Sequence, residues 1–206
     1  MNQPFTVRRA GADDADGIIG VYRRSSSDEV VNDWIFGDSP EVYAAYIEQH
    51  MPGHVAKVLA RDEVWVAARD GEIACVAVMS HVGDREPFEQ DARDTAEAAE
   101  AMPDVPALQR AARALRFIAD HQPTGPEHLY VANILTDRRH RSQGAGGALL
   151  EAVLADADER GLPVYLEAST ERSAKLYTRV GFADTGERLR IAEDSPTLIP
   201  CWYGLG

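Results

Sequence analysis

The chain has 206 residues, 45% hydrophobic and 27% charged, which suits one domain with a sizeable core and gives no ground for wholesale disorder. Its 34 acidic and 21 basic residues leave a net charge of −13, so the molecular field repels phosphate backbones and anionic lipid surfaces; neither nucleic acid nor a membrane is an expected partner. The only cysteines, Cys75 and Cys201, fit no CxxC pattern, and no apolar run approaches the roughly 20 residues of a membrane helix, so a reducing cytoplasm is the expected setting.

Residues 5–10 predict a short strand, after which Ala12-Asp13-Asp14 caps a helix burying Ile18, Ile19 and Tyr22. Ser25-Ser26-Ser27 reads as a loop, with no GxSxG elbow to make a hydrolase nucleophile. Ser39-Pro40-Glu41 predicts a second helix start, with Ser39 as cap, and Pro52-Gly53 predicts its end. That break separates His50 from His54, whose spacing on one helix would suit a metal, so no metal site is expected.

Residues 64–68 and 73–79 are two apolar runs rich in strand formers, joined by the hairpin dipeptide Asp70-Gly71. A helical insertion follows over about residues 82–127. Its first part, residues 84–104, carries eight acids and two arginines and reads as a solvated helical face. In its second part Leu108, Ala111, Ala112, Leu115, Ile118 and Ala119 recur at helical spacing. Beyond it the pattern predicts a strand over 128–135, a helix over 144–160, a strand over 164–167, a helix over 170–180, and a last strand pair from near Phe182 to residues 202–205.

The helix from Gly144 is the clearest element, with Leu149, Leu150, Val153, Leu154 and Ala157 on one face and Gly161 as its stop. A strand, a tight turn and a glycine-rich helix start together bind anions, because unpaired N–H groups and the positive end of the helix dipole point outward there. Small residues at 144–147 let a phosphate approach those donors. The turn is not a Walker A loop, and Leu149 occupies the last glycine position of GxGxxG.

The turn does fit R/Q-x-x-G-x-G/A through Arg141, Gly144 and Gly146. With the preceding strand, Leu149-Leu150 in the helix and the downstream Leu176-Tyr177-x-x-x-Gly181-Phe182, the chain resembles the GNAT superfamily of N-acetyltransferases. Leu166-Glu167-Ala168-Ser169 and the ending Pro200-Cys201-Trp202 look most like the branch that includes puromycin acetyltransferase. The resemblance implies an α/β fold: a mixed, mostly antiparallel central sheet with helices on both faces, splayed near Thr136 to admit pantetheine.

Acetyl-CoA is the cosubstrate the resemblance implies. The backbone of Ile134, Leu135 and Thr136 would pair with its pantetheine arm. Arg141, Ser142, Gln143, Gly144, Ala145, Gly146 and Gly147 would hold its pyrophosphate, with Arg138 and Arg139 nearby. Thr170 and Ser173 stand where many members carry Asn, and Ser173 is the expected contact there; Arg138 replaces a frequent Pro.

Acyl transfer to an amine needs a proton removed, since an alkylamine of pKa near 10.4 is only about one part in two thousand neutral at pH 7. It also needs a proton for the leaving thiolate, a task a tyrosine hydroxyl suits. By its place in the motif Tyr177 is the expected general acid. Glu167, at a strand end beside the cleft, is the leading candidate base, with Asn133, His128 and a water chain as alternatives. The expected reaction is acetyl transfer from acetyl-CoA to a primary amine of a small molecule or protein, by direct attack in a ternary complex because no cysteine lies in the recognisable site. The alternatives are a non-catalytic acyl-CoA-binding sensor and a dinucleotide- or nucleotide-dependent enzyme. The acceptor and the oligomeric state, a homodimer included, are left open by the sequence.

Overall fold

The computed structural model describes residues 4–205. Strand β1 (Thr6–Arg9) pairs antiparallel with β2 (Glu63–Arg69), and β2 turns back into β3 (Glu72–Val82). Asp70 (φ 54°) and Gly71 (φ 81°) both take left-handed backbone, the type I′ geometry that matches strand twist. Next to β3 lies β4 (His128–Thr136), antiparallel; then β5 (Val164–Ala168), parallel to β4. The sheet continues through β8 (Thr197–Tyr203) to the two-residue β6 (Ala183–Asp184), with β7 (Leu189–Arg190) also on β8. The architecture is thus a mixed, mostly antiparallel sheet.

Pleat alternation divides the core between two faces. Cys75, Ala77, Met79, Leu129, Val131 and Leu166 face α7 (Ala145–Arg160), whose Leu149, Leu150, Val153, Leu154 and Ala157 are buried as its periodicity predicts, together with Tyr177 of α8 (Glu171–Arg179). Val64, Val66, Val76, Val78 and Leu135 face the other way, onto α1 (Ala15–Ser25) and α4 (Met51–Arg61). Past α4 on that second side, the insertion folds as a helical hairpin of α5 (Glu86–Ala101) and α6 (Pro106–His121), whose Phe88 and Ile118 pack on Val82, Tyr130 and Tyr165.

Three local expectations change. The helix starting at α3 (Pro40–Ala45) does not stop at Pro52-Gly53; it runs through one π turn, Tyr46–His50, into α4. Proline lacks an N–H and crowds the carbonyl one turn back, and the wider π turn just before it accommodates both, so the break expected between His50 and His54 does not occur. Ser39 sits at the cap, but its hydroxyl donates to Asp38 and bonds no helix N–H. Ser25-Ser26-Ser27 is not a loop: Ser25 ends α1, residues 26–28 form a 3₁₀ turn, and a short helix α2 (Val30–Phe36), capped by the Glu29 carboxylate, follows.

Candidate active site

Two features of β4 create an opening in the sheet. First, β4 and β5 share only the pairs Leu129–Val164 and Tyr130–Tyr165, after which β5 continues on β8 alone. Second, the β3–β4 register shifts between Val78–Asn133 and Met79–Val131, so Ala132 is an extra, bulged residue on β4 at the point of separation. From residue 131 to 136 one edge of β4 therefore has no strand beside it.

The donors at that edge follow from alternation. Asp137 N–H bonds to the Ala74 carbonyl at 2.8 Å, which assigns Leu135 to the β3 side and turns the N–H and C=O of Ile134 and Thr136 toward the gap. Leu135 contributes a buried side chain to the α1 and α4 face and no backbone to the opening.

The same strand delivers the anion-binding turn. After a 3₁₀ turn at Arg138–His140, the backbone takes left-handed φ at Ser142 (60°) and Gly144 (91°) before α7 begins at Ala145. Alternation of hand turns successive N–H groups to one side. None of the N–H groups from Arg141 to Gly147 bonds an acceptor among the described residues; Ala148 is the first to bond back, to Gly144 O at 2.9 Å. A Cβ on Gly146 would meet Thr136 Oγ1 at 3.2 Å, so this glycine brings α7 close to the end of β4. The cradle expected at 141–147 is thus a row of free donors at a helix N-terminus, which fits a pyrophosphate.

Side chains hold the turn from behind. Ser25 Oγ accepts from Arg138 N–H at 2.8 Å, and Asp28 pairs with both Arg138 (2.8 Å) and Arg141 (2.7 Å). Gln143 bonds Arg139 O and Arg69. Asp137, fully buried, accepts from the Arg139 N–H and side chain and from Arg24 at 2.7 Å. Burial alone would push its carboxyl up; the bonds from Arg139 and Arg24 outweigh that and hold it well below the usual carboxylate range. We expect Asp137→Asn to lose roughly 1–2 kcal/mol of stability, the arginines being part-exposed and screened. Because the folded pKa is depressed, this stability is present above the unfolded pKa near 4 and lost as pH falls below it. Denaturant melts of both proteins at pH 7 and near pH 2 should show the gap narrowing.

Tyr177 and Glu167 lie on opposite faces of the opening. Tyr177 packs with Leu166, Ala168 and Cys201 on the α7 side, its ring 5.7 Å from Phe182. The motif around it is a helix end: Gly181 (φ 105°) lets Phe182 N–H reach back to Tyr177 O at 3.1 Å, while Leu176 is exposed. Burial pushes the Tyr177 hydroxyl up, with Cys75, Cys201 and Glu29 adding to the shift, and it makes no hydrogen bond among the described residues. Glu167 follows Tyr165 by two along β5 and so shares the α5–α6 face with Tyr165 and Tyr130. Burial raises its carboxyl above the ordinary value, opposed by the hydroxyls of Tyr165 and Tyr130.

Two of the remaining candidates, Ser173 and His128, are engaged elsewhere. Ser173 Oγ lies in the α8 cap, donating to Thr170 O at 2.9 Å and accepting from Thr170 N–H. His128 bonds Pro126 O through Nδ1, and burial lowers its pKa; its ring sits against Trp202 on the protein side of the last β4–β5 pairs. Asn133 lies at the gap, but its Oδ1 is buried without a partner.

Residues 19–182 match the model of the Acetyltransferase (GNAT) family. Among solved structures, the chain is similar to arylalkylamine N-acetyltransferase 2 from Aedes aegypti (14% identity, 97% of this chain and 98% of that one covered, TM-score 0.69). It is also similar to Drosophila melanogaster polyamine N-acetyltransferase (15%, 96% and 98%, TM-score 0.63). A third is a Corynebacterium glutamicum protein described as histone acetyltransferase HPA2 and related acetyltransferase (21%, 97% and 96%, TM-score 0.59). At these identities the likeness is one of fold.

Proposed function

Because this chain belongs to the GNAT acetyltransferase family, and so is an acetyl-CoA-dependent acyltransferase, we propose that it acetylates a primary amine of a small molecule by direct attack in a ternary complex. The observation that carries this reading is the placement of Glu167 and Tyr177 on opposite faces of one opening in the sheet, beside a strand edge with free donors. The small-molecule acceptor is further supported by two of the similar folds, whose names specify arylalkylamines and polyamines.

In this scheme Ile134 and Thr136 offer backbone to the pantetheine arm, and the N–H groups of residues 141–147 hold the pyrophosphate. Arg138 and Arg141 exchange Asp28 for phosphate oxygens. Bound there, the cosubstrate supplies an activated acetyl group. Glu167 removes a proton from the attacking amine on one face, and Tyr177 gives a proton to the departing sulfur on the other. The geometry keeps the two proton transfers apart, so neither group neutralises the other.

Acetyl-CoA and CoA should raise the melting temperature while NAD and ATP do not, since only a ligand of the folded state stabilises it. A thiol-release assay with a panel of primary amines should then give turnover. Equal shifts with NAD, or release from no amine, would overturn the proposal.

A further inference from the structure

Each arginine of the turn that carries the free N–H row is already paired with an acid. Arg139 bonds Asp137 and lies 3.6 Å from Glu72, while Arg138 and Arg141 both bond Asp28. Asp137 and Asp28 are held in different ways. The Asp137 side chain is fully buried and also accepts the Arg139 backbone N–H at 3.0 Å, so it is fixed where it stands. The Asp28 side chain is 35% exposed, and Arg138 and Arg141 are its only hydrogen-bond partners among the described residues. It ends the three-residue 3₁₀ turn after α1, with neither carboxylate oxygen bonded to backbone.

Asp28 bridges the two arginines as a phosphate would. Its Oδ1 takes Arg138 Nη2 at 2.8 Å and its Oδ2 takes Arg141 Nη1 at 2.7 Å, one arginine on each oxygen. Guanidinium groups grip carboxylate and phosphate with the same donors, so the two anions compete for them. While Asp28 stands between the arginines, an anion arriving at the turn meets a carboxylate beside the free N–H groups, and a net charge of −13 offers no wider attraction to offset it. A ligand can break this contact, because part-exposed ion pairs are worth little each. The backbone need not follow: Ser25 Oγ accepts the Arg138 N–H at 2.8 Å and holds the turn to the end of α1 independently of Asp28.

We propose that Asp28 is an internal competitor for the cofactor's pyrophosphate, a carboxylate that occupies Arg138 and Arg141 in the free protein and swings into solvent when phosphate takes its place. This rests on the N-acetyltransferase reading, in which both arginines turn to phosphate, and adds the residue that limits how tightly the cofactor is held. Acetyl-CoA and CoA carry the same pyrophosphate, so Asp28 weakens the hold on cosubstrate and product alike. When CoA leaves, the carboxylate returns to the arginines, and the turn is not left with two unpaired cations.

The test is calorimetric titration of CoA into wild type, Asp28→Asn and Asp33→Asn at low and high salt, with melting temperatures to show that each protein is folded. Asparagine keeps the shape of Asp28 and removes its charge. Asp28→Asn should bind CoA about fivefold more tightly at low salt, the scale of two part-exposed ion pairs that no longer have to be broken. The gain should shrink at high salt, where such pairs are screened. Asp28→Ser is a second neutral replacement and should gain alike. Asp33→Asn removes the same charge from α2, where Asp33 forms no ion pair among the described residues, and should gain clearly less. CoA binding that is unchanged or weaker in the folded Asp28 variants, an equal gain from Asp33→Asn, or a gain undiminished at high salt overturns this inference alone. Failure of the wild type to bind CoA would strike the function proposed above instead.

Discussion

Tyr177→Phe should lower kcat by at least about tenfold, within the 10² to 10⁴ range that general acid catalysis contributes once partial rescue by water is allowed for. The substitution keeps a ring packed against Phe182 and Leu166 and deletes only the hydroxyl, which has no hydrogen bond among the described residues. Stability should therefore change little. KM for acetyl-CoA should move much less than kcat, since a bond used mainly in the transition state lowers kcat and kcat/KM together. Burial holds the hydroxyl protonated well into alkaline pH, so the wild-type profile should show no loss attributable to Tyr177 up to about pH 10. Wild-type turnover by the Phe variant with a verified amine would return Tyr177 to a packing role in α8.

The parts legible in the sequence were those coded by local chemistry. Asp70-Gly71 specifies its hairpin because both residues tolerate left-handed backbone, and the stripe from Leu149 to Ala157 specifies the buried face of α7. The turn proposed as the anion cradle was legible for the same reason: Gly144 is both the turn and the helix start. What holds the cradle was not. Ser25 and Arg138 are 113 positions apart and meet only after α1 has packed on the sheet, and the three serines in a row gave no hint of it. The π turn before Pro52 depends likewise on tertiary packing, here Ile47 and Met51 in the core against α1, which overrides a local break signal.

The surroundings of Glu167 show the limit most clearly. The residue was readable as a candidate from its place at a strand end, but Tyr130 and Tyr165 join it only through a two-pair parallel register with no local signature. Its face, opposite to that of Tyr177, follows from which core each neighbour enters. The two candidate residues were thus readable from the sequence, and only the sheet shows their separation, on which the proposed division of proton transfers depends.

Glu167→Gln should produce the most pH-dependent defect. If Glu167 removes the amine proton, the wild-type rate falls as pH drops through its pKa, which burial raises above the ordinary carboxylate value. The variant has no such base and depends on amine already neutral in solution, so its rate should rise about tenfold per pH unit and meet the wild type only near the amine's own pKa, about 10.4 for a lysine-like amine. At pH 7 the deficit should be on the order of 10² to 10⁴ in kcat/KM. Stability should move the other way. A carboxylate whose folded pKa is raised binds more protons folded than unfolded, so its ionisation costs stability as pH climbs from the unfolded pKa through the folded one. Glu167→Gln should lack that decline and be at least as stable as wild type at pH 7. Rate profiles from pH 6 to 10 and melts from pH 4 to 8 separate the roles: a deficit constant across pH would make Glu167 a positioning residue, and one that closes toward high pH with stability retained marks it as the base.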